Sequence, residues 1–170
     1  TEPFEKIVTE YSSAGLLTAE LTYEGDGSLK TRRQLNWAAG EPGAGLLLKE
    51  AWFDSKGLSQ GSSSFEYDAA GRKTVWRLYD SNEVLKATTT YKYDEKGRTI
   101  LKEMRNGAGE LTGTIRGEFS EDGTQRRDAY LAPDGSLQKS ELSLFQGGEL
   151  LRFELHRFDE SLAELTEYTL

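Results

Sequence analysis

Residues 67–119 read YDAAGRKTVWRL, YDSNEVLKATTTYK, YDEKGRTILKEM and RNGAGELTGTIRGE, and Phe119 then begins the pattern again. Tyr67, Tyr93, Phe119 and Phe145 recur at one constant interval of twenty-six positions, and Tyr79, Arg105 and Leu131 divide each interval into steps of twelve and fourteen. Self-similarity at a fixed period of this length marks a repeat architecture.

The pattern extends in both directions. Its anchors are Tyr11, Tyr23, Trp37, Phe53, Tyr67, Tyr79, Tyr93, Arg105, Phe119, Leu131, Phe145 and Phe158, ten of them aromatic. Glycine follows four positions later at Gly15, Gly27, Gly57, Gly71, Gly97, Gly109, Gly123 and Gly135. Asp or Asn comes directly after the anchor at Asp54, Asp68, Asp80, Asp94 and Asn106, where its side chain can hold the backbone of a turn. Two ordinary residues and a left-handed glycine then complete a three-residue hairpin. Where that glycine is missing, Asn82, Gly40 and Gly148 stand one place earlier and are expected to take its conformation.

Removing a four-residue turn from each step leaves about eight to ten positions, the length of a strand. Connections this short join antiparallel neighbours. The sequence therefore predicts an all-β antiparallel meander of tandem hairpin repeats, an elongated or curled sheet in one domain spanning 1–170. Thirteen strands are expected, near 4–11, 16–23, 28–37, 46–53, 58–67, 72–79, 84–93, 98–105, 110–119, 124–131, 136–145, 149–158 and 162–169. The even spacing predicts every anchor on one side of its strand. Phe145 and Phe158 are separated by an odd thirteen positions, which predicts a flip absorbed by a bulge or altered turn near Gly147-Gly148. The Gly/Pro-rich AAGEPGAG segment lengthens one hairpin, and the small polar run Gly61 to Ser64 weakens one strand.

Composition bounds function. The chain has 170 residues, a net charge of -8 and no cysteine, which excludes disulfides, thiolate metal sites and cysteine nucleophiles. Carboxylates spread along its length repel phosphate backbones, so nucleic acid is not an expected partner, and Arg32-Arg33 and Arg126-Arg127 read as solvated strand positions. No apolar run is long enough for a spanning helix. The strands carry charges where a lipid-facing barrel band would be apolar. No signal peptide is read, and Thr1 suggests a processed or trimmed product whose targeting segment was removed.

Tyr67-Asp68-Ala69-Ala70-Gly71-Arg72 and Tyr91-Lys92-Tyr93-Asp94-Glu95-Lys96-Gly97-Arg98 resemble the YD repeats of the RHS-type family. Similar anchored hairpins occur in MORN-like bacterial repeat proteins. The resemblance implies an all-β repeat on exported or surface-associated bacterial proteins, used in some for binding. It also has departures here, since Arg follows the glycine only at Arg72 and Arg98, and Arg105 and Leu131 replace the aromatic.

Candidate chemistry is sparse. Gly57-Leu58-Ser59-Gln60-Gly61 matches the G-x-S-x-G nucleophile pattern, which has meaning only on a strand-to-helix elbow, whereas Gly57 is the repeat's turn glycine. A serine esterase-like hydrolase using Ser59 is the alternative reading. His156 is the only histidine, so no histidine metal cluster exists, and it is expected as a solvated residue beside Arg152 and Glu154. Each turn offers one carboxylate where calcium wants six to eight oxygens, so no metal or cofactor is expected. Phe65 and Tyr67 share a strand face, as do Tyr91 and Tyr93, and with Trp76 they are the candidate binding residues. The reading is a non-enzymatic, extracytoplasmic binding or scaffold module for a protein or glycan, with homodimerisation through a sheet face or edge as a further expectation.

Overall fold

A computed structural model describes residues 5–39 and 44–169. They form thirteen strands: β1 Lys6–Tyr11, β2 Leu17–Tyr23, β3 Leu29–Trp37, β4 Leu47–Asp54, β5 Ser59–Tyr67, β6 Lys73–Tyr79, β7 Leu85–Tyr93, β8 Thr99–Asn106, β9 Leu111–Phe119, β10 Gln125–Leu131, β11 Leu137–Gln146, β12 Glu149–Arg157 and β13 Leu162–Glu167. They lie in one sheet in sequence order, so β1 and β13 stand at its two ends. The architecture is the all-β antiparallel meander that the repeat predicts. Among the described residues no helix is long and apolar enough to cross a membrane.

The turns follow from the residue after the anchor. At the β5–β6 turn, the Asp68 N–H donates to the Arg72 carbonyl at 2.9 Å and the Gly71 N–H to the Asp68 carbonyl at 3.0 Å. The Asp68 carboxylate accepts the Ala70 and Arg72 N–H groups, both at 2.9 Å, through one oxygen. Its other oxygen accepts Arg72 Nε at 2.7 Å. Asp94 repeats the whole set with Lys96 and Arg98. Asn106 makes the same two backbone contacts with a neutral amide. Gly71 sits at φ +75°, a left-handed conformation in which a Cβ would be strained.

Two turns depart from expectation. At the β6–β7 turn, Glu83 and not Asn82 takes the left-handed value, φ +60°, because its N–H must reach the Asp80 carbonyl from the fourth position. Gly40 lies outside the described residues, and Gly45 at φ +84° closes the long β3–β4 loop. The last turn is registered on His156, not Phe158: Arg157 N–H bonds the Ser161 carbonyl, Glu160 is left-handed, and Phe158 is 69% exposed on the turn itself. Between β11 and β12, Gly147 and Gly148 are both left-handed, and Leu151 is bulged out of the ladder between Leu150 and Arg152. Both devices expected for the odd spacing are present there.

The anchors do not share one side of the sheet. Cross-strand partners share a face, and across a hairpin with its bulge they lie an odd number of steps apart, as Phe65 and Trp76 do at eleven. An even step of twelve or fourteen therefore changes the face at the next strand, and Tyr67 and Tyr79 point to opposite sides. Every second anchor returns to the same face, as Phe119 and Phe145 do through the row of Arg126 and Ser143. The β11–β12 hairpin is the exception, with Ser143 and Phe153 an even ten steps apart.

By compactness the chain divides into units Thr1–Thr88 and Thr89–Leu170, a boundary that falls within β7. Within each unit, strands pack only against their neighbours in the order. The most buried positions are small residues in mid-strand. Ala19 and Ser140 are 1% exposed and Ser63 is 2% exposed. Gly61, Ser62 and Ser63 of the small polar run are buried, and the run lies within β5 without interrupting it. A Cβ on Gly61 would lie 2.8 Å from the Tyr79 carbonyl oxygen, so the neighbouring backbone excludes a side chain there.

Candidate functional site

In the first unit, the ladder places Arg33, Trp52 and Gly61 in one cross-strand row and Leu35, Glu50, Ser63 and Leu78 in the next. Phe65 and Trp76 face each other in the row beyond. By strand alternation Trp37 and Tyr67 end their strands on this same side. All three tryptophans of the chain thus occupy one face of this unit.

Several of these side chains are braced. The Trp37 indole donates to the Leu17 carbonyl at 2.6 Å, and the Tyr67 hydroxyl to the Leu47 carbonyl at 2.8 Å. Burial pushes the Tyr67 hydroxyl pKa up. Phe65 is 9% exposed, with the Lys73 ammonium 4.5 Å from its ring centroid. Such a cation–π contact contributes about 0.5–1 kcal/mol. Arg33 places Nε at 3.1 Å and Nη2 at 2.7 Å from a single oxygen, Glu50 Oε2. Trp52 and Trp76 are half-buried, and among the described residues neither indole N–H donates to a protein acceptor or lies buried without one.

Of the residues singled out from sequence, Phe65, Tyr67 and Trp76 are brought together on this face. Tyr91 and Tyr93 fall in the second unit, both half-buried. Burial, then the neighbouring Tyr93, pushes the Tyr91 hydroxyl pKa up. Trp52, Arg33 and Glu50 also belong to the face, and sequence reasoning misses them. The available signal is the face change at each hairpin, which brings the residue before the Phe53 anchor to the side occupied by the Tyr67 anchor.

The second unit does not repeat this chemistry. Two full periods on, Gly117 replaces Phe65 and Asp128 replaces Trp76. A charged network fills the space: Arg126 pairs with Asp128 at 2.6 Å and stacks on Phe119, as does Arg98. Tyr130 donates to Glu141 at 2.8 Å, and its pKa is pushed up to about 12 by burial and then by Glu141. Both basic pairs therefore hold ion-paired members, since Arg33 binds Glu50, Arg126 binds Asp128, and Arg127 lies 3.5 Å from Glu160.

On the other side of that unit, a cavity of about 500 Å³ is lined by residues including Glu118, Arg127, Glu154, His156 and Glu160. His156 is not merely solvated. Its Nδ1 lies 3.1 Å from the Glu160 carbonyl and its Nε2 lies 2.8 Å from Glu154. With an acceptor at each ring nitrogen, the imidazolium is favoured, and the Glu160 carbonyl, then Glu154, raises its pKa. Among the described residues no group of acids and histidines could hold a metal. Ser59 opens β5 and its hydroxyl accepts the Gly61 N–H at 3.2 Å, while Gly57 is left-handed in the preceding turn.

No family model matches the sequence. No curated protein matches it either. Solved structures do. A TcdB2–TccC3–Cdc42 crystal structure matches with a TM-score of 0.53 and 14% identity, over 95% of this chain and 10% of that one. TcdB2–TccC3 without Cdc42 matches with the same values. A porin-like protein from Bacteroides uniformis matches with a TM-score of 0.51 and 14% identity, over 84% of this chain and 54% of that one. The likeness is one of fold. This chain spans about a tenth of the first two proteins and about half of the third, and the likeness accords with a β-repeat architecture.

Proposed function

We propose that the chain is a non-enzymatic binding module of the bacterial envelope or exterior, and that its recognition surface for a protein or glycan is the aromatic face of the first unit. The observation that carries the reading is that Trp52 and Trp76 stand on one side of the sheet, both half-buried, with indole N–H groups that no protein acceptor takes among the described residues. Partly exposed tryptophans beside charged groups are the composition of recognition surfaces. The setting is the one that the YD-repeat resemblance implies, and the porin-like match is in keeping with it. Immobilised protein and a Trp52→Ala/Trp76→Ala variant would be exposed to bacterial envelope extract and to a glycan array. Retention by the native chain that the variant loses supports the proposal. Equal retention by both, or by neither, overturns it.

A further inference from the structure

The geometry points to self-association of this chain, with β1 of one copy paired antiparallel to β1 of a second. Among the described residues β1 has one ladder neighbour, β2. The Ser12 N–H donates to the Leu16 carbonyl at 2.8 Å and the Ser12 carbonyl accepts the Gly15 N–H at 3.0 Å, so Ser12 turns its backbone groups toward β2. These directions alternate along an antiparallel strand. Lys6, Val8 and Glu10 therefore also turn theirs toward β2, and Ile7, Thr9 and Tyr11 turn theirs outward. A row of outward N–H and C=O groups accepts a further strand unless something blunts it. Nothing in β1 does: Lys6–Tyr11 holds no proline, and the extra residue of the β1–β2 bulge, Thr18, lies in β2. Ile7 and Tyr11 share a face and are each 62% exposed.

The edge is complementary to itself. With the two-fold axis at Thr9, Ile7 lies opposite Tyr11 of the second copy, twice, and Thr9 lies opposite its own counterpart. Aromatic against β-branched and Thr against Thr are favourable cross-strand pairs. On the other face Lys6 falls diagonal to Glu10 of the second copy, so the charges of the edge attract, while Glu5 is already held by Lys30 of β3. Neighbouring registers are worse. One sets Glu10 against itself, and the other leaves Tyr11 opposite Glu5. The open edge of β13 lacks this match. There the Tyr168 N–H goes to the Leu151 carbonyl, which turns Ala163, Leu165 and Glu167 outward, and pairing centred on Leu165 brings the Glu164 side chains of the two copies into diagonal contact. An isologous contact of this kind closes at two copies. Its axis is perpendicular to the sheet, so the cross-strand row of Trp52, Arg33, Glu20 and Thr9 continues into the second copy on the same side. The dimer thereby presents two equivalent recognition faces together, the arrangement that gives avidity.

A contact of one strand from each copy is at the small end of interfaces, so sedimentation velocity is run from about 1 µM to about 1 mM chain and a reversible monomer–dimer equilibrium is expected. Thr9→Pro removes an outward N–H and leaves the β1–β2 ladder its own bonds; it weakens the dimer by roughly tenfold or more. Ile7→Lys, at an exposed side chain, does the same without touching the backbone. Leu165→Pro, the matching change on the β13 edge, leaves the equilibrium within about twofold. Melting curves establish that each variant is folded. The chain has no cysteine, so single thiols report the register. Directly opposed Thr9 positions are about 5.5 Å apart between Cα atoms, within disulfide reach, whereas the Val8 positions are diagonal at about 7–8 Å. Under mild oxidation Thr9→Cys forms a covalent dimer and Val8→Cys forms it far more slowly, each rate being corrected for the thiol's reaction with a small disulfide. A chain that stays monomeric throughout, growth beyond a dimer, a dimer unchanged in folded Thr9→Pro and Ile7→Lys, or faster linkage through Val8→Cys overturns the inference.

Discussion

A single backbone angle decides what residue each turn tolerates. Gly57 is left-handed at φ +76° with nothing within 4 Å of where a Cβ would stand, so Gly57→Ala isolates the conformational cost from any clash. The expected loss is about 1 kcal/mol, read as a fall of about 2–4 °C in melting temperature. Glu83 already holds the left-handed value without being glycine, and Glu83→Gly is expected to stabilise by about 0.5 kcal/mol in urea denaturation. Its ion pair with Lys49, at 3.7 Å between exposed groups, offsets little of this. A loss of stability in Glu83→Gly would contradict the turn assignment.

At the level of strands and hairpins, close backbone approach and a single histidine matter most. Gly61→Ala introduces a Cβ against the Tyr79 carbonyl oxygen, and is expected to cost about 1–3 kcal/mol, more than Gly57→Ala. The β12–β13 hairpin is braced by His156, which holds the Glu160 carbonyl and Glu154, with Arg152 also on Glu154 and Arg127 facing Glu160. The raised folded pKa of His156 means that its contribution is full below the unfolded value of ~6.5 and is lost as pH rises through the folded value. Protection of β13 amides, corrected for intrinsic exchange, should therefore be greater at pH 5.5 than at pH 8.5, and His156→Gln should remove the difference. The lone imidazole resonance gives the same answer directly: a midpoint at or below ~6.5 would refute the brace.

Across the whole molecule, stability is a chain of neighbour interactions, because strands within each unit pack only against adjacent strands. Gly61→Ala and Gly117→Ala lie in different units, each against its own neighbouring carbonyl, and their costs should add to within about 0.5 kcal/mol. The turn carboxylates impose a shared acid limit. Backbone N–H groups hold Asp68, Asp80 and Asp94 below the usual range, through Arg72, Val84 and Arg98 respectively. The Ser120 hydroxyl leads in lowering Asp122 to about 2. Depressed folded values contribute stability above the unfolded value of ~3.9 that is lost as pH falls through them. Melting temperature should thus drop between about pH 4 and pH 2. Asp94→Asn should soften that drop, as the native Asn106 turn keeps the same backbone contacts without a charge.

The sequence by itself determined the strands, their order and the turns that join them, because each hairpin is built from contacts local in the chain: an Asp68 or Asp94 carboxylate, two backbone N–H groups and a left-handed glycine. It also exposed the odd step of the β11–β12 hairpin, through the spacing around Gly147 and Gly148. Only the tertiary structure decided which side chains meet. Face identity depends on the summed register of every hairpin and bulge, so one uncounted reversal set Tyr67 and Tyr79 on opposite sides and hid the company that Trp52 keeps with Trp76. The burial of Ser63 and the double engagement of His156 were hidden for the same reason: each depends on neighbouring strands or turns whose alignment no local pattern states.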